Sequence, residues 1–163
     1  MVALDRCEPL PGAPRNRQVF LVGLGRPSAE AAAGIAAAWL PAADARPALV
    51  VAEERAHAAL VEHLRPRVLR MPAVPADPLA VAASLRAALD EGAALIAGGV
   101  AGAEGGCQPA LLVNVPLGSL VLREPGVQGP FLCVARTRSL AAAEDRLEAL
   151  GALERHVLAG SPQ

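Results

Sequence analysis

The feature that most limits the fold is a series of short apolar runs with no polar face. The clearest are residues 18–22 (QVFLV), 48–52 (ALVVA) and 93–97 (AALIA), and a weaker run covers residues 67–71. Such runs are typical of strands covered on both sides, because a half-exposed strand would alternate with polar residues. The long segments between them leave room for helical crossovers, which predicts parallel pairing with residues 93–97 at the centre of the sheet.

Three amphipathic helices are predicted between these runs. The first covers residues 29–40 with Ser28 as its N-cap, and the second covers residues 53–64 with an acidic first turn. The third covers residues 78–91, where Asp77 is the cap and proline follows at the first helical position. Apolar residues recur in each at a helical spacing, so one face of each helix should pack on the sheet.

A different pattern follows residue 115. Residues 118–123 and 130–135 resemble strands joined by a Pro-Gly turn, which predicts a hairpin, and Ser139 caps a last helix extending to residue 158. The sequence therefore predicts a three-layer α/β fold with a mostly parallel, Rossmann-like sheet, a C-terminal β-hairpin and a terminal helix.

One domain is expected from a chain of 163 residues. Residues 1–17 contain three prolines and no apolar period, and they are predicted to form a flexible arm. Residues 18–159 are predicted to form a single α/β domain. We find no internal repeat in the chain.

Composition excludes several functional classes. With 15 basic and 16 acidic residues the net charge is −1, which predicts no binding to nucleic acid or to an anionic membrane. All the basic residues are arginine, so neither a lysine Schiff base nor a P-loop lysine can operate. Cys7, Cys107 and Cys133 are widely spaced, and no C-x-x-C or H-x-x-x-H pattern predicts a metal site. With no signal-peptide pattern at the N-terminus, these features favour a cytoplasmic protein.

The turn after the first apolar run contains part of a phosphate-binding pattern. Gly23, Gly25, Arg26 and Ser28 precede a helix, whose free N–H groups attract anions. Ser28 stands where G-x-G-x-x-G requires its third glycine, while Glu53 lies where a dinucleotide site has its ribose-binding carboxylate. An ordinary turn and a ligand site both remain open.

A glycine-rich loop follows residues 93–97. Its ligand-binding candidates are Gly98, Gly99 and Gly102, and two more glycines lie at positions 105 and 106. Loops at the carboxyl end of a central strand carry the sites of α/β folds, and glycine lets the backbone approach a ligand. The loop could be a mobile flap, a surface of ligand-binding amides or a simple connector.

Arg136 and Arg138 form the second anion-binding candidate. They directly precede the helix capped by Ser139, where two guanidinium groups can bind a phosphate or carboxylate. The alternative is two solvated arginines on a connecting turn.

Three residues are candidates for catalysis. His57 falls on the inward face of its helix, near the predicted site edge, and could act as a general base or orient a ligand. Glu104 and Cys107 lie in the glycine loop as a candidate base and a candidate nucleophile. Each also has an ordinary structural interpretation, since free cysteines and partly buried histidines are common in cores.

These residues predict a cytosolic α/β protein that binds a small anionic metabolite at the carboxyl edge of its sheet. The anionic group of that metabolite is a phosphate or another acidic group. If it is an enzyme, a transferase or acid–base reaction is favoured over a redox reaction, and no cofactor is identified. The alternative is a non-catalytic accessory or assembly subunit, because alanine-rich helices pack readily against copies of themselves or a protein partner.

Overall fold

A computed structural model gives the architecture of the protein. It describes residues 17–39, 41, 46–100, 102, 105–124, 126–151 and 153–158. The strands are β1 (Arg17–Val22), β2 (Ala48–Glu53), β3 (Val74–Pro75), β4 (Ala94–Ala97), β5 (Gly106–Cys107), β6 (Ala110–Val113), β7 (Phe131–Thr137) and β8 (Leu153–Val157). The helices are α1 (Ser28–Ala38), α2 (Glu54–Leu69), α3 (Pro78–Asp90), α4 (Leu120–Arg123) and α5 (Leu140–Glu148).

The main sheet has six strands in the order β4-β6-β7-β2-β1-β8. The pairs from β6 to β8 are all parallel, and β4 pairs antiparallel with β6 at one edge. The mostly parallel α/β prediction is therefore confirmed. The prediction of a central, parallel strand at residues 93–97 is wrong, because β4 is an edge strand in which Leu95 is 38% exposed.

The central strands are β7 and β2. Both are almost wholly apolar and buried, as are their neighbours, which satisfies the pattern expected of a strand covered on both faces. β3 and β5 form a separate two-stranded antiparallel ribbon.

Helices cover both faces of the sheet and give three layers. On one face α1 and α2 pack through Ile35, Leu60 and Leu64 against Phe20 and Val50. On the other face α3, α4 and α5 pack against the alternate residues of the same strands. The period-two alternation of each strand thus divides the core into two apolar clusters.

The structure differs from the local predictions at the end of α2 and in the predicted hairpin. Residues 67–71 lie mostly in α2, which continues through Pro66 to Leu69 rather than ending at residue 64. Residues 118–123 contain α4, and residues 130–135 belong to β7 beside β2, so the predicted hairpin is wrong.

The terminal helix is shorter than predicted. Ser139 does cap α5, and its Oγ accepts a hydrogen bond from the Ala142 amide at 3.2 Å. The helix ends at Glu148, however, and residues 153–157 pair with β1 as the sheet's last strand. Residues 1–16 of the predicted arm lie outside the described residues, whereas Arg17 begins β1 and is fully buried.

Within the described ranges, no helix combines the length and apolarity needed to cross a membrane.

Candidate functional site

The carboxyl ends of β1, β2 and β7 meet at one edge of the sheet, which we call the carboxyl edge. The three strands are adjacent and parallel, so the chain turns toward α1, α2 and α5 side by side. This is the edge where open α/β sheets bind ligands. The residues that follow these strands therefore define the candidate site.

Two adjoining cavities lie along this edge, and we call them together the carboxyl-edge cleft. The larger has a volume of about 270 Å³ and is lined by Glu54, Leu117, Arg136, Thr137, Arg138, Ala142, Ala143 and Arg146. The smaller, of about 240 Å³, is lined by Leu24, Glu53, Glu54, Arg55 and Arg138. Glu54 and Arg138 line both cavities, so the two cavities lie side by side between the β1–α1 turn and α5.

Charge is unevenly distributed along the cleft. The larger cavity has three guanidinium groups, from Arg136, Arg138 and Arg146, against the single carboxylate of Glu54. The smaller cavity has two arginines and two glutamates. The larger cavity is therefore the end that attracts an anion.

The start of α5 adds a second source of positive potential to the larger cavity. Thr137 Oγ1 donates a hydrogen bond of 2.7 Å to the Ser139 carbonyl, and Ser139 caps the helix. These bonds fix the β7–α5 connection, and Ala142 in the first turn of α5 helps to line the cavity, so the positive end of the helix dipole lies beside it. A helix N-terminus beside three guanidinium groups is chemically suited to phosphate or carboxylate.

His57 lies beside this cleft without lining it. Its ring is half-buried in the first turn of α2, and its Nε2 atom is buried with no hydrogen-bond partner. Burial and then the charge of Arg136 lower the pKa of the imidazole below 6.5. The charge of one predicted site residue thus acts on another, and His57 is neutral near pH 7.

The β1–α1 turn contributes less than its glycines predict. Arg26 Nε lies 3.9 Å from a Glu30 carboxylate oxygen, and Arg26 lines neither of the two cavities. The N-cap of α1 is Pro27 rather than Ser28, and Ser28 begins the helix. The predicted Ser28 cap is therefore wrong, because the Pro27 carbonyl already accepts the Ala31 amide.

Three further predicted residues lie at this edge, namely Gly23, Gly25 and Glu53. Gly23 and Gly25 have no positive φ, so the turn does not depend on the freedom of glycine. Glu53 ends β2, precedes the first residue of α2 and lines the smaller cavity.

The glycine loop lies at the opposite edge of the sheet. Because β4 is antiparallel to β6, its carboxyl end adjoins the amino end of β6, where Ala97 pairs with Leu111. Gly98, Gly99 and Gly102 follow that end, so the prediction that they join the carboxyl-edge turns is wrong. Their role in binding a ligand at this other edge stays a prediction.

Several amides of this loop already have partners within it. The Gly99 amide donates to the Gln108 carbonyl at 3.1 Å, and the Gln108 amide donates to Val100 at 3.0 Å. The Gly102 amide donates to Gly106 at 2.6 Å. Amides used in this way are unavailable to a ligand. This favours the interpretation of the glycine loop as a simple connector over a mobile flap or a surface of ligand-binding amides.

Cys107 is buried at the end of this loop. Burial, and then the negative charge of Asp77, raises the pKa of its thiol. Activated cysteines need the opposite environment, which stabilises a thiolate, so the structure does not support Cys107 as a nucleophile. Glu104 lies outside the described residues.

Three charged residues of the cleft are not among the site residues predicted from the sequence, namely Glu54, Arg55 and Arg146. Arg146 could have been found, because it lies one helical turn beyond Ala142 on a helix whose cap was recognised. In the described part of the chain, His, Cys, Asp and Glu residues form no cluster of three that could hold a metal ion.

Comparison with solved structures identifies dehydrogenases of the same fold. An NAD-dependent benzaldehyde dehydrogenase from Corynebacterium glutamicum matches 89% of this chain with a TM-score of 0.71 and 18% identity. Lactaldehyde dehydrogenase from Escherichia coli matches 91% with a TM-score of 0.64 and 16% identity. A variant of Thermus thermophilus 1-pyrroline-5-carboxylate dehydrogenase matches 88% with a TM-score of 0.67 and 17% identity.

The chain shares its fold with these dehydrogenases. It covers only 35%, 40% and 31% of those three chains, so it spans about a third of their length. No family model matches the sequence, and no curated protein matches it. The likeness therefore concerns the fold of one α/β portion of those longer dehydrogenase chains.

Proposed function

We propose that this protein binds a small anionic metabolite, with a phosphate as its recognised group, in the larger cavity of the carboxyl-edge cleft. The observation that carries the proposal is the convergence of Arg136, Arg138 and Arg146 on one cavity at the start of α5. Guanidinium groups bind phosphate with two parallel hydrogen bonds, and a helix N-terminus adds the positive end of its dipole.

The size of the cleft limits the ligand. Small-molecule sites usually occupy about 300 to 1,000 Å³. A cavity of about 270 Å³ accepts a phosphate with a short carbon chain, and the adjoining cavity of about 240 Å³ accepts a polar extension. Glu53 and Glu54 favour hydroxyl groups in that extension, because their carboxylates accept hydrogen bonds.

The dehydrogenase likeness suggests an oxidoreductase context, and we propose that the chain serves as an α/β domain of that kind. An intact dinucleotide fits its residues poorly. Of the glycine turn after β1, Leu24 lines the cleft, whereas Arg26 does not and lies 3.9 Å from Glu30. We therefore propose a phosphorylated metabolite as the ligand, and we assign no reaction to the cleft. We also propose that the protein works in a reducing compartment such as the cytoplasm.

Inorganic pyrophosphate tests the proposal in a thermal-shift titration at constant ionic strength. At a hundred times its dissociation constant a ligand adds about 2.7 kcal/mol, which raises the melting temperature of a domain this size by about 5 to 10 °C. Arg138→Gln should abolish most of this shift, because Arg138 lines both cavities.

Arg86→Gln is the matched control. Arg86 is 79% exposed on α3 and pairs with Asp90, away from the cleft. It removes one positive charge without touching the proposed site, so its shift should equal that of the wild type. Equal shifts in all three proteins, or none in the wild type, would refute the proposal.

The second candidate is an accessory or assembly subunit that associates with its own copies or another protein. Exposed apolar side chains on neighbouring elements favour it, namely Leu89 on α3, Leu95 on β4 and Val100 just after β4. Such exposure at a sheet edge is typical of an interaction surface. A concentration-dependent sedimentation coefficient without any pyrophosphate shift would favour this candidate over anion binding.

A further inference from the structure

Another cavity lies at the edge of the sheet opposite the carboxyl-edge cleft, and we call it the amino-edge cavity. Its volume is about 280 Å³. The start of α3 and the segment before β7 line it, through Asp77, Ala80, Val81, Ser84, Gly126 and Gln128. Because that segment leads into the amino end of β7, the cavity is remote from the carboxyl ends of the strands. It shares no lining residue with the cleft.

The α3 side of the cavity has polar ends and an apolar middle. Asp77, Ala80, Val81 and Ser84 follow the spacing i, i+3, i+4 and i+7, which places them on one face of the helix. At 1.5 Å per residue, Asp77 and Ser84 are about 10 Å apart along the helix axis. A ligand lying along this face therefore meets a carboxylate, then two apolar side chains, then a hydroxyl group.

The charge of the cavity is negative, in contrast to the larger cavity of the cleft. Asp77 is the one charged residue among those that line it. In the described part of the chain, no arginine forms an ion pair with this carboxylate. Burial raises the pKa of the Cys107 thiol, and the charge of Asp77 raises it further, which agrees with a carboxylate that no cation offsets. The cavity thus attracts a cation.

The start of α3 does not compete as an anion site. Pro78 has no N–H group, and the Leu79 amide donates to Asp77 Oδ1 at 3.0 Å. The Val81 amide donates to the Asp77 carbonyl at 3.0 Å. The amides that could face an anion in the first turn are therefore mostly absent or used, and the carboxylate determines which charge is favoured.

We propose that the amino-edge cavity binds a short amino alcohol, with its ammonium group at Asp77 and its hydroxyl group at Ser84. The ammonium donates to the carboxylate, the carbon chain packs on Ala80 and Val81, and the hydroxyl bonds to Ser84 Oγ. A chain of about four carbons spans the gap between the two side chains once a hydrogen bond of about 2.8 Å forms at each end. The Gln128 amide can donate to or accept from the same ligand.

A divalent cation fits this cavity less well than an ammonium group. Calcium takes six to eight oxygen ligands, and magnesium requires a near-octahedral set. The cavity offers one carboxylate, and no group of three His, Cys, Asp or Glu side chains suited to a metal occurs among the described residues. An ammonium needs only a few acceptors, so the observations favour the organic cation.

The first experiment titrates 4-aminobutanol into the protein and follows backbone amides by NMR. The amides of Leu79, Gly126 and Gln128 should shift to saturation. Asp77→Asn should weaken binding at least about tenfold, because a hydrogen bond to a charged group is lost. Asparagine caps a helix about as well as aspartate, so this variant keeps the start of α3. Asp90→Asn removes the same charge at the far end of α3, where the side chain is 69% exposed, and should leave the affinity unchanged.

Two analogues separate the ends of the ligand. Pentylamine has a methyl group in place of the hydroxyl, and pentanol has one in place of the ammonium. Ser84→Ala should weaken 4-aminobutanol about two- to tenfold, as expected for one neutral hydrogen bond, and should leave pentylamine unchanged. Asp77→Asn should leave the weaker binding of pentanol unchanged.

Gln128→Arg provides a second variant that does not alter α3. Gln128 is exposed, so the fold should tolerate the change, and the new guanidinium group should abolish 4-aminobutanol binding by occupying the cavity with a cation. The proposal is overturned if no amide of the cavity shifts, if pentanol binds as tightly as 4-aminobutanol, or if Asp90→Asn weakens binding as much as Asp77→Asn. Unchanged binding in Gln128→Arg would also overturn it. None of these outcomes depends on the pyrophosphate test of the cleft.

Discussion

Gly98 offers the sharpest test of whether the glycine loop is a structural connector or a ligand-binding element. Its φ is +71°, and a β-carbon on its backbone would lie 1.7 Å from the Pro109 carbonyl oxygen. An ordinary contact at this point would be 3.4 Å or more. Gly98→Ala must therefore displace backbone from backbone, which a side-chain rotation cannot relieve.

The magnitude follows from two contributions. A left-handed conformation costs an L-residue about 1 to 2 kcal/mol, and forced overpacking adds about 1 to 3 kcal/mol. We expect Gly98→Ala to reduce the free energy of unfolding by about 2 to 5 kcal/mol, which lowers the melting temperature by about 5 to 20 °C.

Two other glycines provide graded controls. Gly92 has a φ of +99°, but a β-carbon at this position would have nothing within 4 Å, so Gly92→Ala should cost only the backbone contribution. Gly118 also has open space and is not among the positive-φ glycines, so Gly118→Ala should be close to neutral. Urea denaturation of the three variants measures the free energies.

Pyrophosphate affinity of folded Gly98→Ala protein, measured well below its melting temperature, should match the wild type, because the loop is at the opposite edge from the cleft. The reasoning is refuted if Gly98→Ala is as stable as Gly118→Ala. A large loss of pyrophosphate affinity in a stable variant would instead return the loop to the binding site.

Two further predictions concern titrating groups. Because the pKa of His57 is lowered in the folded protein, the unfolded chain binds a proton first as the pH falls through 6.5, and stability decreases until the folded pKa is reached. His57→Gln should flatten the decrease in stability below pH 7, and a slope equal to that of the wild type would contradict the assignment. Cys107 and Cys133 should resist a disulfide reagent at pH 8 in folded Cys7→Ser protein, since burial raises the pKa of Cys133 to about 12 and leaves about one thiolate in ten thousand. Both should react in urea, and rapid labelling of the folded protein would show that the core opens.

The strands and helix caps that were predicted correctly are those that leave a local pattern in the sequence. β1 and β2 are continuous apolar runs, and the α3 cap is visible because Asp77 precedes a proline, where its side chain accepts the Leu79 amide at 3.0 Å. β4 carries the same kind of apolar run but lies at the edge. Apolar composition indicates a strand without indicating how many neighbours it has.

The misassigned C-terminal elements have a similar cause. Residues 130–135 are apolar enough for any buried strand, and only the sheet order shows that β7 lies beside β2 instead of pairing in a hairpin. β8 is short and contains two charged residues, so it continues the polar pattern of the preceding helix. Its pairing with β1 is a long-range contact that local periodicity cannot reveal.

The cleft was partly foreseeable for the same reason. Residues that directly follow a strand, such as Arg136, Arg138 and Glu53, could be placed at the carboxyl edge once their strands were recognised as parallel. To predict Arg146 as a cleft residue, the face of α5 that lies against the cavity had to be known. The glycine loop was assigned to the wrong edge because its position depends on the direction of β4.

The pairing of β8 with β1 has a consequence for synthesis on the ribosome. β1 emerges first and cannot gain its β8 partner until residues 153–157 have left the exit tunnel. Until then the nascent chain presents an open apolar strand edge, which can recruit another chain by strand addition. Chaperone dependence and co-translational aggregation should therefore depend on how quickly β8 is synthesised. A ribosomal pause shortly before residues 153–157 would lengthen the time during which the edge of β1 is unpaired.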